Sequence, residues 1–197
     1  MKKQKIKLLS TRQITMIGAL SGISIFMGIS GLGFIPLPFM KATIMHIPVI
    51  IGAILEGPIV GGIIGLVFGL FSIYQNITTP TLMSPIFMNP IIAIIPRILI
   101  GITSYYIYKF IHNKFNKENI AYGLAAIVGT LTNTIGVLGL TYILCLDQYA
   151  QIKGTSTSAV GSIIGTIILT NGIPECIISM IIVIPVLRGI SKIYKTK

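Results

Sequence analysis

The sequence predicts an all-α polytopic membrane protein with six transmembrane helices and both termini cytoplasmic. Three observations carry that expectation. Of the 197 residues, 53% are hydrophobic and only 10% are charged, against about 25% charged in an ordinary soluble domain, and the mean hydropathy is +0.92. The apolar residues come in long blocks. A soluble core of this size could not bury them, whereas a bilayer solvates apolar helix surfaces. The cations gather at the ends of those blocks. The length suits one compact bundle, a single membrane-embedded domain over 1–197 with no room for a soluble domain of useful size.

The blocks run over 13–33, 44–56, 58–75, 88–111, 120–146 and 158–187. Lys2, Lys3, Lys5, Lys7 and Arg12 precede the first. No small-residue cleavage site closes a short apolar region there, so this block reads as an uncleaved first span. The second block is short. Thirteen residues rise only about 20 Å as a helix, less than the roughly 30 Å hydrocarbon core. It must tilt, extend into its preceding loop, or pair with the third block as a hairpin. Glu56-Gly57-Pro58 punctuates that hairpin, and proline suits a first helical turn.

Charge sets the orientation. With both termini inside, twelve of the fifteen Lys and Arg residues are cytoplasmic, Lys41 and Lys153 are external, and Arg97 lies within a span. That asymmetry obeys the positive-inside rule. Five or seven spans would strand one basic terminus outside. A four-span arrangement with 44–75 re-entrant also keeps both termini inside. The net charge of +11 therefore reports topology, not nucleic-acid binding. Cys145 and Cys176 lack metal or redox spacing and read as packing residues.

Small residues mark helix contacts. Gly57, Gly61, Gly65 and Gly69 recur every fourth residue, as do Gly18 and Gly22, and Gly161 and Gly165. Such stripes permit close backbone approach in lipid. They serve packing within the chain, or, for the first span, docking of another protein's helix.

Ionisable groups inside a membrane are expensive and mark function. Arg97 follows Pro96 in the fourth span. Glu175 follows Pro174 in the sixth, one turn after Asn171 and on the same face. Asn133, between Thr132 and Thr134, lies in the fifth. Arg97 and Glu175 could form a buried ion pair, with the asparagines as interhelical hydrogen-bond glue. Alternatively the set lines a polar pocket in the outer half between spans four, five and six. Lys41 and His46 flank the outer start of the second span and complete the candidate set, although a lone His there is more often an interfacial residue than a ligand. The Pro-rich first external loop suits a structured flap. A second uncharged external segment, Asn76 to Asn89, could also cover a pocket.

Catalytic and energising motifs are absent. There is no GxxxxGK[ST], HExxH or GxSxG, and the four carboxylates leave little for proton coupling or intramembrane metal catalysis. No cofactor is expected. The halves show no internal symmetry, which weakens a reading as a self-sufficient secondary transporter or channel. An enzyme or scaffold is weaker still. The chain reads as a binder without its own engine.

These features resemble the S component, the substrate-binding membrane subunit, of energy-coupling factor (ECF) vitamin transporters. The resemblance covers nearly the whole chain. Its most specific stretches are Met40 to Leu55 followed by Gly57-Pro58, then Pro96-Arg97-Ile98-Leu99-Ile100-Gly101, Leu131-Thr132-Asn133-Thr134 and Thr170-Asn171-Gly172-Ile173-Pro174-Glu175. Among subfamilies it is most similar to the pantothenate group, and it lacks the acidic stretch associated with riboflavin binders. The resemblance implies capture of a vitamin from outside in a pocket closed by the first loop. It further implies association with a transmembrane coupling subunit and two ATPases, and toppling in the membrane to release substrate inside. It places partner docking on the first span, where Gly18, Ala19 and Gly22 stand in for an imperfect Ala-rich motif. Pantothenate carries a carboxylate, an amide and two hydroxyls. Arg97 would take the carboxylate, Asn133 and Asn171 the amide and hydroxyls, and Glu175 a hydroxyl proton or the orientation of Arg97.

Overall fold

The computed structural model describes residues 9–36 and 41–195. Eight helices and one small ribbon follow in the order α1 (Thr11–Ile29), β1 (Phe34–Pro36), β2 (Lys41–Thr43), α2 (Ile47–Glu56), α3 (Pro58–Thr78), α4 (Ser84–Phe87), α5 (Pro90–Phe115), α6 (Glu118–Leu144), α7 (Leu146–Lys153) and α8 (Thr157–Lys195). Among the described residues α1, α3, α5, α6 and α8 are long and apolar enough to cross a membrane, and α2 is a shorter apolar helix. The six apolar blocks thus each become a helix, five of them of spanning length.

The short second block resolves as a hairpin partner. Its helix has 10 residues, a rise of about 15 Å. Gly57 makes the turn at φ 99°, a conformation natural to glycine, and Pro58 opens α3. Every residue from Ile47 to Ile54 is buried. An element that is hydrophobic all round belongs in an interior, and α2 is enclosed by α1, α3, α5, α6 and α8. Protein, not lipid, covers it, so its length need not match the bilayer. Val49, Ile50 and Ala53 are fully buried there. Val49 and Ile50 pack into a core with Val60 and Ile64 of α3, Ile100 of α5, Ala125 and Ala126 of α6, and Val183 and Leu187 of α8.

The glycine stripe of α3 serves intramolecular packing. A Cβ on Gly65 would run into the Arg97 carbonyl, and one on Gly101 would strike the backbone of Gly61 and Gly62. These contacts bring α3 and α5 backbone to backbone, the close approach that small residues allow. Gly18 and Gly22 differ. Among the described residues a Cβ added at either would meet nothing within 4 Å, and both, with Ala19, lie on the exposed face of α1.

The two ends of the bundle are built differently. At the basic end, the Arg12 Nε–H lies 2.5 Å from Glu56 Oε1, fastening the start of α1 to the α2–α3 turn. Tyr122 and Ser191 share a 2.9 Å hydrogen bond between α6 and α8. At the other end, β1 and β2 pair antiparallel. There Ile86 of α4, Tyr149 and Ala150 of α7, and Val160 and Ile164 of α8 form a second hydrophobic cluster with Ile92 and Val137. The Pro-rich connection expected as a flap contains this ribbon; its tip, 37–40, lies outside the described residues.

Candidate substrate site

The ribbon end holds a cavity of about 270 Å³, slightly below the lower end of the usual range for small-molecule sites, about 300–1,000 Å³. It exists because α2 is short: α2 begins only at Ile47, and Thr43 and Met45, just before it, line the space beyond its end.

Four of the six predicted binding residues meet there. Arg97 comes from α5, Asn133 from α6, and Asn171 and Glu175 from α8. All four are buried, Arg97 being 9% exposed. The arginine's position follows from its neighbour. Pro96 has no N–H, so the carbonyl of Ile92, four residues back, loses its helical partner. Arg97 Nη1 donates to that carbonyl at 2.7 Å. The guanidinium carbon stands 5.6 Å from the Phe68 ring centroid, within cation–π range. Arg97 Nε and Asn133 Oδ1 are buried with no hydrogen-bond partner among the described residues.

Arg97 and Glu175 do not form the ion pair weighed as the packing alternative; among the described residues no carboxylate pairs with Arg97. Glu175 has other partners. Its Oε1 accepts from the Thr43 N–H at 2.8 Å and its Oε2 from the Thr134 hydroxyl at 2.9 Å.

The remaining two candidates stand apart. His46 is fully buried rather than interfacial, does not line the cavity, and shares a 2.9 Å hydrogen bond between Nε2 and Thr130 Oγ1. The backbone of Lys41 belongs to β2, and its side chain lies outside the described residues.

The cavity also extends beyond spans four, five and six. Helix α3 contributes Phe68, Ser72, Gln75 and Asn76. Gln75 Nε2 donates to the Gly28 carbonyl at 3.1 Å. Asn76 Oδ1 accepts from Ser84 Oγ at 2.8 Å, tying α3 to α4, whose Phe87 forms part of the wall. The segment read as a loop from Asn76 thus begins as the last turn of α3. Ser72, Gln75 and Asn76, spaced one turn apart on an apolar helix, were the available signal for this wall.

Among the described residues the lining combines one buried cation, one carboxylate already held by Thr43 and Thr134, several amides and hydroxyls, and apolar walls, the make-up common to small-molecule pockets. The model for the ECF transporter substrate-specific component matches residues 12–187. This chain belongs to that family. The pantothenic acid transporter PanT of Lactococcus lactis subsp. cremoris (strain MG1363) is 35% identical over 173 residues, covering 80% of this chain and 81% of that protein. The pantothenate transporter PanT of Leuconostoc mesenteroides subsp. mesenteroides is 36% identical over 160 residues, covering 77% and 78%. This substrate-specific component is therefore a multi-pass plasma-membrane protein of a transport system, from a family of transporters and not of enzymes.

Proposed function

We propose that this S component binds pantothenate in the ribbon-end cavity and delivers it inward when coupled to a separate energising module. The observation that carries the reading is Arg97: a buried cation with no carboxylate partner among the described residues, lining a cavity that also holds two asparagines. A substrate carboxylate would complete it through charge-assisted hydrogen bonds. Asn133 and Asn171 would serve the amide and hydroxyls, and the Phe68 and Phe87 rings would pack the gem-dimethyl carbon. The relatives named as pantothenate transporters support this choice of vitamin.

In this reading α2 and the five long helices form six membrane passages, with the basic end cytoplasmic and the ribbon end outside. The charge asymmetry supports that orientation. His46 fastens the start of α2 to α6 through Thr130. Lys41 contributes a second cation on the ribbon. The partners are a transmembrane coupling subunit and two ATPases, and the α1 face of Gly18, Ala19 and Gly22 is where the coupling subunit docks. The exposure of that face supports the assignment.

The test is binding by the purified protein without ATP or partners. Water-soluble vitamins are screened by calorimetry, and ligand carried through purification is identified by mass spectrometry. The reading expects pantothenate alone to bind. A different vitamin, or none, would overturn it.

A further inference from the structure

We propose that Glu175 is a positioning residue that fastens the connection between the ribbon and α2 over the cavity, and that it holds the substrate in without touching it. This rests on the reading of the cavity as the substrate site. Both oxygens of Glu175 are already engaged, one by the Thr43 amide and one by the Thr134 hydroxyl. The first of these bonds joins residues 132 positions apart in sequence.

The Thr43 amide is available for this contact because of the ribbon's register. Phe34 and Thr43 are its terminal pair. The Phe34 N–H donates back to Gly31, and the Ile44 N–H donates across to Gly33. In an antiparallel ladder the bonded and non-bonded pairs alternate, so the Thr43 N–H points away from β1, and Glu175 takes it.

The same short stretch is held at two further points. The Ser24 hydroxyl donates to the Met45 carbonyl at 3.2 Å, and His46 bonds Thr130 at 2.9 Å. Both Met45 and His46 are buried, whereas Thr43 is half-buried. Thr43, Thr134 and Glu175 all line the cavity, whereas Ser24, His46 and Thr130 do not, so Glu175 provides the fastening at the cavity wall, and the one whose release would free the ribbon without dismantling the core.

No cation is paired with Glu175 among the described residues. Its role is that of an acceptor, which an amide can fill. In Glu175→Gln the side-chain oxygen accepts from the Thr43 N–H and the nitrogen donates to Thr134 Oγ1. In Glu175→Ala both bonds vanish. A carboxylate acting on substrate by its charge would not be replaced by glutamine.

The experiment compares the wild type, Glu175→Gln and Glu175→Ala in lipid nanodiscs. Amide hydrogen exchange over residues 41–46 is read without ligand, and pantothenate dissociation is read by stopped flow. Loss of a hydrogen bond to a charged group corresponds to about 10- to 100-fold. Glu175→Ala should speed both exchange and dissociation by that factor and leave association within about threefold. Glu175→Gln keeps both bonds in neutral form, about half as strong, and should lie between wild type and alanine, about 3- to 10-fold from wild type. Glutamine as impaired as alanine, or exchange unchanged in alanine, overturns the proposal. Thr43→Pro removes the donor and leaves Glu175 in place, so it carries the test if alanine fails to fold; its dissociation should match that expected for alanine, and a wild-type rate would overturn the proposal. If the wild type does not bind pantothenate, the substrate reading falls, and the exchange measurement still decides the fastening.

Discussion

Arg97 donates its Nη1 to the carbonyl of Ile92 at 2.7 Å, the same carbonyl that Pro96 leaves without a helical partner. The proline and the arginine act as a unit. One opens the helix ladder, and the other fills the gap and is thereby aimed along the cavity wall. Replacing Pro96 with alanine would supply an N–H that competes for Ile92. The expected outcome is an unchanged or higher melting temperature together with about tenfold weaker pantothenate binding, since one anchoring hydrogen bond is lost to competition. Thermal unfolding and calorimetry on the same preparation check both halves.

The α3–α5 contact allows a sharper comparison. A Cβ at Gly65 would run into the backbone of Arg97, whereas one at Gly62 would reach Ile98 only at 3.8 Å. Gly65→Ala should destabilise by about 1–3 kcal/mol through overpacking and weaken binding by displacing Arg97. Gly62→Ala should change neither measurably. Unfolding midpoints in detergent, with vitamin affinity measured alongside, distinguish the two.

Much of this arrangement was legible in the sequence, for physical reasons that differ by residue. An ionisable or amide group in an apolar block has no cheap explanation in lipid, so Arg97, Asn133, Asn171 and Glu175 stood out, and they converge on one cavity. Ser72, Gln75 and Asn76 did not, because they lie where an apolar block gives way to polar residues, a transition that also marks a helix end. One of the two partners of Glu175, the one at Thr43, was invisible for another reason. It is a backbone amide, which every residue but proline carries, so no side-chain signal points to it. The brevity of α2 was visible as a short block. What it leaves, space for a cavity beyond its end, depends on enclosure by five other helices.

The exposed α1 face yields a prediction that separates binding from transport. Among the described residues nothing lies within 4 Å of a Cβ placed at Gly18 or Gly22. Gly18→Leu and Gly22→Leu should therefore leave melting temperature and vitamin affinity within about twofold of wild type, as expected for substitutions at open surface positions. Uptake by cells carrying the full transport system should fall by more than about tenfold if a partner helix must approach there closely. Normal uptake by both variants would move the docking surface elsewhere.

The central claim is that Arg97 reads the carboxylate of the substrate. Its most direct test is a paired binding measurement with pantothenate and with the alcohol analogue in which the carboxylate is replaced by CH₂OH, on the wild type and on Arg97→Ala. A buried charge-assisted pair predicts that the wild type prefers pantothenate by about 100-fold. The preference should collapse to within about threefold in Arg97→Ala while the protein still folds. Equal affinity of the wild type for the two compounds, or an undiminished preference in Arg97→Ala, would contradict the account.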